Sequence, residues 1–112
     1  MTESIDQSAL HGRSLERAAE TLRLLAHPVR LKLIDQIRAG PVPVGVLAKL
    51  VRQPQHVVSQ HLNRMRLHGI LSRRRNGRQV IYRISDPQVL DILRWVQKRR
   101  FADPTFSDGE AI

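Results

Sequence analysis

Prolines and glycines cut this chain into short pieces, and no other feature limits its fold as strongly. His27-Pro28, Gly40-Pro41, Arg52-Gln53-Pro54, Gly69, Asn76-Gly77 and Asp86-Pro87 all fall between apolar runs. A proline disfavours helix in the residue before it and suits the first turn of a new helix, while a glycine ends one. Before the first break, Ser14 is a cap for a helix in which Leu15, Ala18, Ala19, Leu22, Leu25 and Ala26 recur at helical spacing. Val29, Leu33, Ile34 and Ile37 mark a second helix closed by Gly40, and Pro41-Val42-Pro43 reads as a rigid link. A short third helix spans about 44–51, with Val44, Leu47, Ala48 and Val51 apolar.

After the tight turn at 52–54 a fourth helix runs to about His68, with Gly69 as its stop. On a 100° wheel Val58, Leu62 and Met65 fall within about 60° of one another and define a buried stripe. His56, Gln60 and Asn63 take the opposite side, flanked by Val57 and Arg64. Two helices joined by a tight turn, the second polar on its outer face, form the layout of a DNA-reading helix-turn-helix. Leu71–Arg75 and Arg78–Ile84 then read as two strands of a hairpin, with Asn76-Gly77 as the turn because both turn residues must tolerate positive φ. Ser85-Asp86-Pro87 opens a last helix by cap, acid and proline. The fold expected is therefore mainly α with a small β-hairpin wing.

The charge is placed unevenly. Residues 36–85 hold ten Lys and Arg and no Asp or Glu, whereas residues 1–35 balance five acids against five bases and residues 86–112 hold five acids against four bases. The net charge of +9 thus resides in the middle of the chain. Ordinary solvated faces intersperse both signs, so an acid-free stretch of this length wants a polyanion. Sixteen of the nineteen bases are Arg, whose planar fork suits phosphate and guanine edges. The basic segment is not one amphipathic helix, which argues against a membrane surface as the partner.

The run Leu25-Ala26-His27-Pro28-Val29-Arg30-Leu31-Lys32-Leu33-Ile34 comes first. Val58-Ser59-Gln60-His61-Leu62 follows with Met65 and Gly69-Ile70-Leu71, then Arg73-Arg74-Arg75-Asn76-Gly77-Arg78 before Val80-Ile81-Tyr82-Arg83. In that order and spacing, over roughly residues 14–98, the chain resembles the ArsR/SmtB family of bacterial winged-helix repressors. The resemblance implies four helices, a wing and a fifth helix, a dimer built from the first and last helices, and an inducer-released repressor on a pseudo-palindromic operator. It does not carry metal sensing with it. The cysteine motif that many members place at the start of the third helix is replaced by Pro43-Val44-Gly45-Val46, and the chain has no cysteine. Of the ligands other members hold on paired last helices, Asp86 matches the first, while Gln88, Arg99 and Ala102 occupy the rest. One carboxylate beside an arginine is no site for a borderline transition metal.

The residues expected to read the major groove are Gln55, His56, Ser59, Gln60 and Asn63, with Val57 packing on a thymine methyl; Gln and Asn address adenine bidentately. Arg64, Arg66 and Arg52 are expected on phosphates, and the wing arginines Arg73, Arg74, Arg75 and Arg78 in the minor groove or on phosphate. Leu15, Leu22, Leu90, Leu93 and Trp95 are expected at the dimer interface, because the last helix is apolar over more than one stripe. His61, bordering the buried stripe, reads as a structural hydrogen-bonder, and His27 as a junction residue. His56 and His61 lie about 140° apart on a helix and cannot share a metal. His11 is a weak candidate for an intersubunit metal site, so a metal stays open beside a small molecule or a protein as inducer. No cofactor is called for, and no paired carboxylates, Ser-His-Asp context or glycine-rich phosphate loop suggests an enzyme.

The domain expected spans 14–101, between a flexible segment 1–13 and a flexible acidic tail 102–112. With neither a membrane-length apolar run nor a signal-peptide pattern, the expectation is a bacterial-type cytoplasm. A sequence-indifferent architectural DNA binder and a winged-helix protein-interaction module remain alternatives.

Overall fold

The breaks in the sequence are the breaks in the structure. A computed structural model describes residues 12–99; His11, the segment before it and the tail from 102 lie outside the described residues. In chain order come α1 (Arg13–Leu25), α2 (Pro28–Ile37), β1 (Val42–Pro43), α3 (Val44–Val51), α4 (Gln55–Leu67), β2 (Leu71–Asn76), β3 (Gln79–Ile84) and α5 (Leu90–Arg99). This is the mainly helical winged arrangement expected, with one strand more. Val42 and Pro43, read as a link, pair antiparallel with Tyr82 and Ile81, so the sheet order is β1-β3-β2. A two-residue strand carries no periodicity to be read; the edge of the wing creates it, and an edge is where proline is tolerated.

The wing turn differs from expectation by one residue. Asn76 pairs with Gln79, which leaves Gly77 and Arg78 as the two central residues. Gly77 has φ +65°, and among the described non-glycine residues only Arg52 has positive φ. Positive φ at the first central position alone is the II′ pattern, in place of the I′ turn expected from Asn-Gly. Arg78 is thereby lifted from the strand to the tip of the wing.

Leu33, Ile34 and Ile37 of α2, Leu47 of α3, Val58, Leu62 and Met65 of α4, and Ile70 form an aliphatic core, closed by Leu71, Tyr82, Val89 and Leu93. Leu93, expected at the dimer interface, belongs instead to the protomer's own core, and Leu90 packs partly against it. The cause lies at Pro87–Val89, a tight 3₁₀ turn capped by the Asp86 carboxylate accepting from the Gln88 amide at 3.0 Å. That turn sets the phase of α5 so that Leu93 faces inward. Ser14 does not cap α1 either: the helix starts two residues earlier, at Arg13 after Gly12, without a side-chain cap. Among the described residues no helix is long and apolar enough to cross a membrane.

His27 sits at the hinge between α1 and α2. With φ −151° and ψ 121°, its ring Nδ1 accepts from the Val29 amide at 3.2 Å, and Pro28 occupies the first helical position. Its ring lies 4.5 Å, edge on, from that of His61 on α4. Arg30 completes the junction, its Nε donating to His61 Nδ1 at 3.0 Å and its Nη1 donating to the Leu24 carbonyl at 2.9 Å. Guanidinium has no acceptor, so His61 Nδ1 must carry no proton here. Burial pushes the His61 pKa down, and nearby His27, Arg30 and Arg64 add to the shift. A histidine depressed in the folded state takes up its proton more readily when unfolded. Its stabilising effect is present above the ordinary value of 6.5 and fades as pH falls below it. The wild-type urea midpoint should therefore drop between pH 7.5 and 5.5, and His61→Gln, which can still accept from Arg30 but does not titrate, should drop less. Identical drops in the two proteins would rule out His61 as a source of the slope.

Candidate nucleic-acid interface

The α3–α4 turn depends on an uncommon backbone conformation. Arg52 adopts the left-handed region, φ 57° and ψ 47°, while its amide and that of Gln53 satisfy carbonyls at the end of α3. A side chain in this region costs roughly 1–2 kcal/mol relative to ordinary helix, and glycine escapes most of that cost. The exposed guanidinium at the turn therefore stands where glycine would fit the backbone better. No side chain caps the start of α4, so its first amides and the positive end of its dipole face outward.

Seen around its axis, α4 has three distinct sides. Val58, Leu62 and Met65 are 0% exposed and fix the helix to the core. Gln55, His56, Gln60 and Arg64 are exposed, and Val57, Ser59 and Asn63 are half-buried. On the α2 side, Arg64 comes near enough to Arg30 and His61 to lower the pKa of both, after burial. On the wing side, the Asn63 Oδ1 accepts two bonds from Arg66, from Nη2 at 2.7 Å and from Nε at 3.2 Å.

Two grooves join α4 to the wing. The first, of about 580 Å³, is lined by Gln55, Ser59, Gln60, Asn63 and Arg66 of α4, Arg73 of β2, and Val44, Val80 and Tyr82. Arg73 is steered into it by the strand register, which sets Arg73 opposite Tyr82; its Nη1 donates to the Tyr82 hydroxyl at 3.4 Å. The second is lined by Lys49 of α3, Gln55, the wing-tip Arg78 and Gln79, among others. Gln55 belongs to both. Arg75 shares the face of Arg73 in the register, whereas Arg74 and Arg83 line the other face with Ser72, whose hydroxyl accepts from the Arg83 Nε at 3.0 Å.

The structure thus brings together Gln55, Ser59, Gln60, Asn63, Arg66, Arg73 and Arg78 along one continuous path. It leaves His56 and Val57 outside the two grooves, Arg74 on the far face of the wing, and Arg64 on the α2 side. Lys49 was missed at the level of sequence, although it stands exposed in the acid-free segment two residues before the end of α3. The charge of the middle segment is not all on one side, for Arg38 is tied to Asp35 at 2.7 Å. That pair and Arg94–Asp91 in α5 are the two side-chain ion pairs among the described residues, and neither uses a cation of α4 or the wing.

Away from the grooves, Leu15 and Leu22 of α1 are 49% and 55% exposed, and Trp95 of α5 is 50% exposed with the Arg99 guanidinium 4.6 Å above its ring. Ala18, Thr21 and Leu22 of α1 line a shallow trough with Asp86, Gln88, Val89 and, from α5, Ile92. Among the described residues no three His, Cys, Asp or Glu side chains gather as a metal site. The Asp86 carboxylate is used as a cap, and His68 Nε2 stands 3.3 Å from the Thr21 hydroxyl.

A family model described as a helix-turn-helix domain matches residues 25–74, the span from the end of α1 through most of β2. The transcriptional repressor PagR of Bacillus anthracis is 38% identical over 82 residues, covering 72% of this chain and 82% of that protein. The repressor SmtB of Mycobacterium tuberculosis is also 38% identical, over 79 residues; the match takes in 70% of this chain but 58% of SmtB's length. Among solved structures, the transcriptional repressor BigR of Xylella fastidiosa superposes with a TM-score of 0.76 at 29% identity, covering 88% of this chain and all of that one. With its helix-turn-helix, its wing and these relatives, the chain belongs to the ArsR/SmtB family of winged helix-turn-helix transcriptional regulators.

Proposed function

We propose that this chain binds double-stranded DNA sequence-specifically as a homodimer and represses transcription, with residues 14–101 as the working domain in a bacterial-type cytoplasm. One observation carries the reading: the uncapped start and polar side of α4 meet the wing arginines along grooves lined by five side chains of α4 and no acid. Gln55, Ser59 and Gln60 supply donors and acceptors for base edges, as His56 does beside them, and Asn63 adds its amide group. Arg52 and Arg66 hold phosphates beside the helix, Arg64 does so from the α2 side, and Lys49 joins them at the α3 end. Arg73, Arg75 and Arg78 bring the wing to the adjacent backbone or minor groove, with Arg74 on its outer face. Releasing counterions from phosphates supplies most of the affinity, so binding falls steeply with salt. That Arg52 occupies a backbone position better suited to glycine supports a use for its charge at the turn.

The homodimer rests on the exposed apolar side chains of α1 and α5. Leu15, Leu22 and Trp95 are large side chains left half-exposed in a chain this small, and a second copy related by a two-fold axis covers them most simply. Such a dimer sets two copies of α4 about one helical turn, roughly 34 Å, apart on a pseudo-palindromic site. The relatives named above are transcriptional repressors, in keeping with this use.

Titration of a selected operator and a scrambled duplex at about 150 mM salt should show a preference of roughly 10³ or more for the operator. Gln60→Ala should shrink that ratio, whereas Arg78→Ala should weaken both duplexes and flatten the salt dependence by about one unit of slope. Equal affinity for the two duplexes would instead mark an architectural binder, and no retention of DNA at low salt would mark a protein-interaction module. Leu22→Glu should yield monomers in sedimentation and lower affinity for the full operator far more than for a half-site; an unchanged dimer would remove α1 from the interface.

A further inference from the structure

We infer that Arg66 clamps the Asn63 amide so that it reads guanine, not adenine, in the DNA groove; this deepens the DNA-reading proposal above and rests on it. Arg66 offers only donors, so the Asn63 atom facing it must be the carbonyl oxygen, and the amide orientation is fixed by chemistry. That oxygen accepts from one edge of the Arg66 guanidinium, from Nη2 at 2.7 Å and from Nε at 3.2 Å. The amide nitrogen makes no hydrogen bond among the described residues, and Asn63 lines the groove between α4 and the wing. Bidentate pairing with adenine needs one donor and one acceptor from the same amide. With its carbonyl oxygen already held by a charged donor, Asn63 offers the groove its amide donors in preference. Guanine answers with two acceptors, N7 and O6, while adenine sets its own amino donor beside N7 and repels the exposed NH₂. Asn63 then works on guanine as a lysine does, and Arg66 is its positioning residue. A free asparagine on the same helix face would have the opposite taste.

The test is selection from duplexes randomised across a half-site, with the full chain and three variants of these two surface residues. Wild type should enrich guanine about tenfold over adenine at one position per half-site. Asn63→Ala should lose the preference at that position only. Arg66→Met should turn the same position toward adenine, while Arg66→Lys, which keeps the charge and a donor, should hold guanine. The clamp is overturned if the position sensitive to Asn63→Ala reads adenine in wild type. It is equally overturned if Arg66→Met weakens every sequence alike without moving that base, leaving Arg66 a phosphate contact and nothing more. If Asn63→Ala alters no position, this inference fails and the DNA-reading proposal survives. If wild type enriches no sequence at all, the DNA-reading proposal fails as well, and the two failures are thereby told apart.

Discussion

Everything polar on α4 is held in place by what lies behind it. Val58, Leu62 and Met65 are fully buried, and each such side chain stabilises the docking by about 2 kcal/mol relative to exposure. Against this stands the mutual repulsion of exposed guanidinium groups. At physiological salt such charges are screened beyond about 8 Å, and exposed pairs interact by roughly 1 kcal/mol or less. Apolar burial therefore wins with room to spare, and a helix can be offered to solvent with Gln55, Gln60 and Arg64 outward and no acid to compensate them. A single large-to-small change among the three would shift the whole polar face of α4, because its side chains share one rigid support.

The junction of α1, α2 and α4 adds a second, polar anchor. Arg30 is tied at once to the end of α1 through the Leu24 carbonyl and to α4 through His61, and His27 caps α2 while its ring abuts that of His61. Both histidine nitrogens engaged here are acceptors. The arrangement links one cation and two edge-on rings across the three helices, and it ties α4 to the end of α1. On the far side the wing is tied less by salt bridges than by register: Arg73 opposite Tyr82, Arg83 beside Ser72.

Much of this was legible in advance because the signals were local. The proline at the start of α2, the apolar stripe of α4 and the glycine at the wing each follow from the physics of a few neighbouring residues. What escaped was contextual. Ile81 and Tyr82 recruit Val42 and Pro43 into a third strand, a pairing no local pattern announces. The wing turn moved by one residue because glycine alone pays no steric penalty at the position with positive φ, and strand pairing selected which two residues became central. Leu93 went to the core because a 3₁₀ turn reset the phase of α5, and the direction of a helix face cannot be read from apolar content when the apolar arc is wide.

The sequence by itself determined which elements exist, that their middle carries positive charge without acids, and which family they resemble, since propensity, patterning and charge reside in the residues themselves. Only the tertiary structure decided which cations keep company. It joined Lys49, Gln55 and Arg78 along one groove, set Arg64 on the other side of α4, and locked the Asn63 carbonyl against Arg66. The physical reason is range: a turn or a stripe spans a few residues, whereas a groove and a clamped amide depend on where helices and strands come to rest against a shared core.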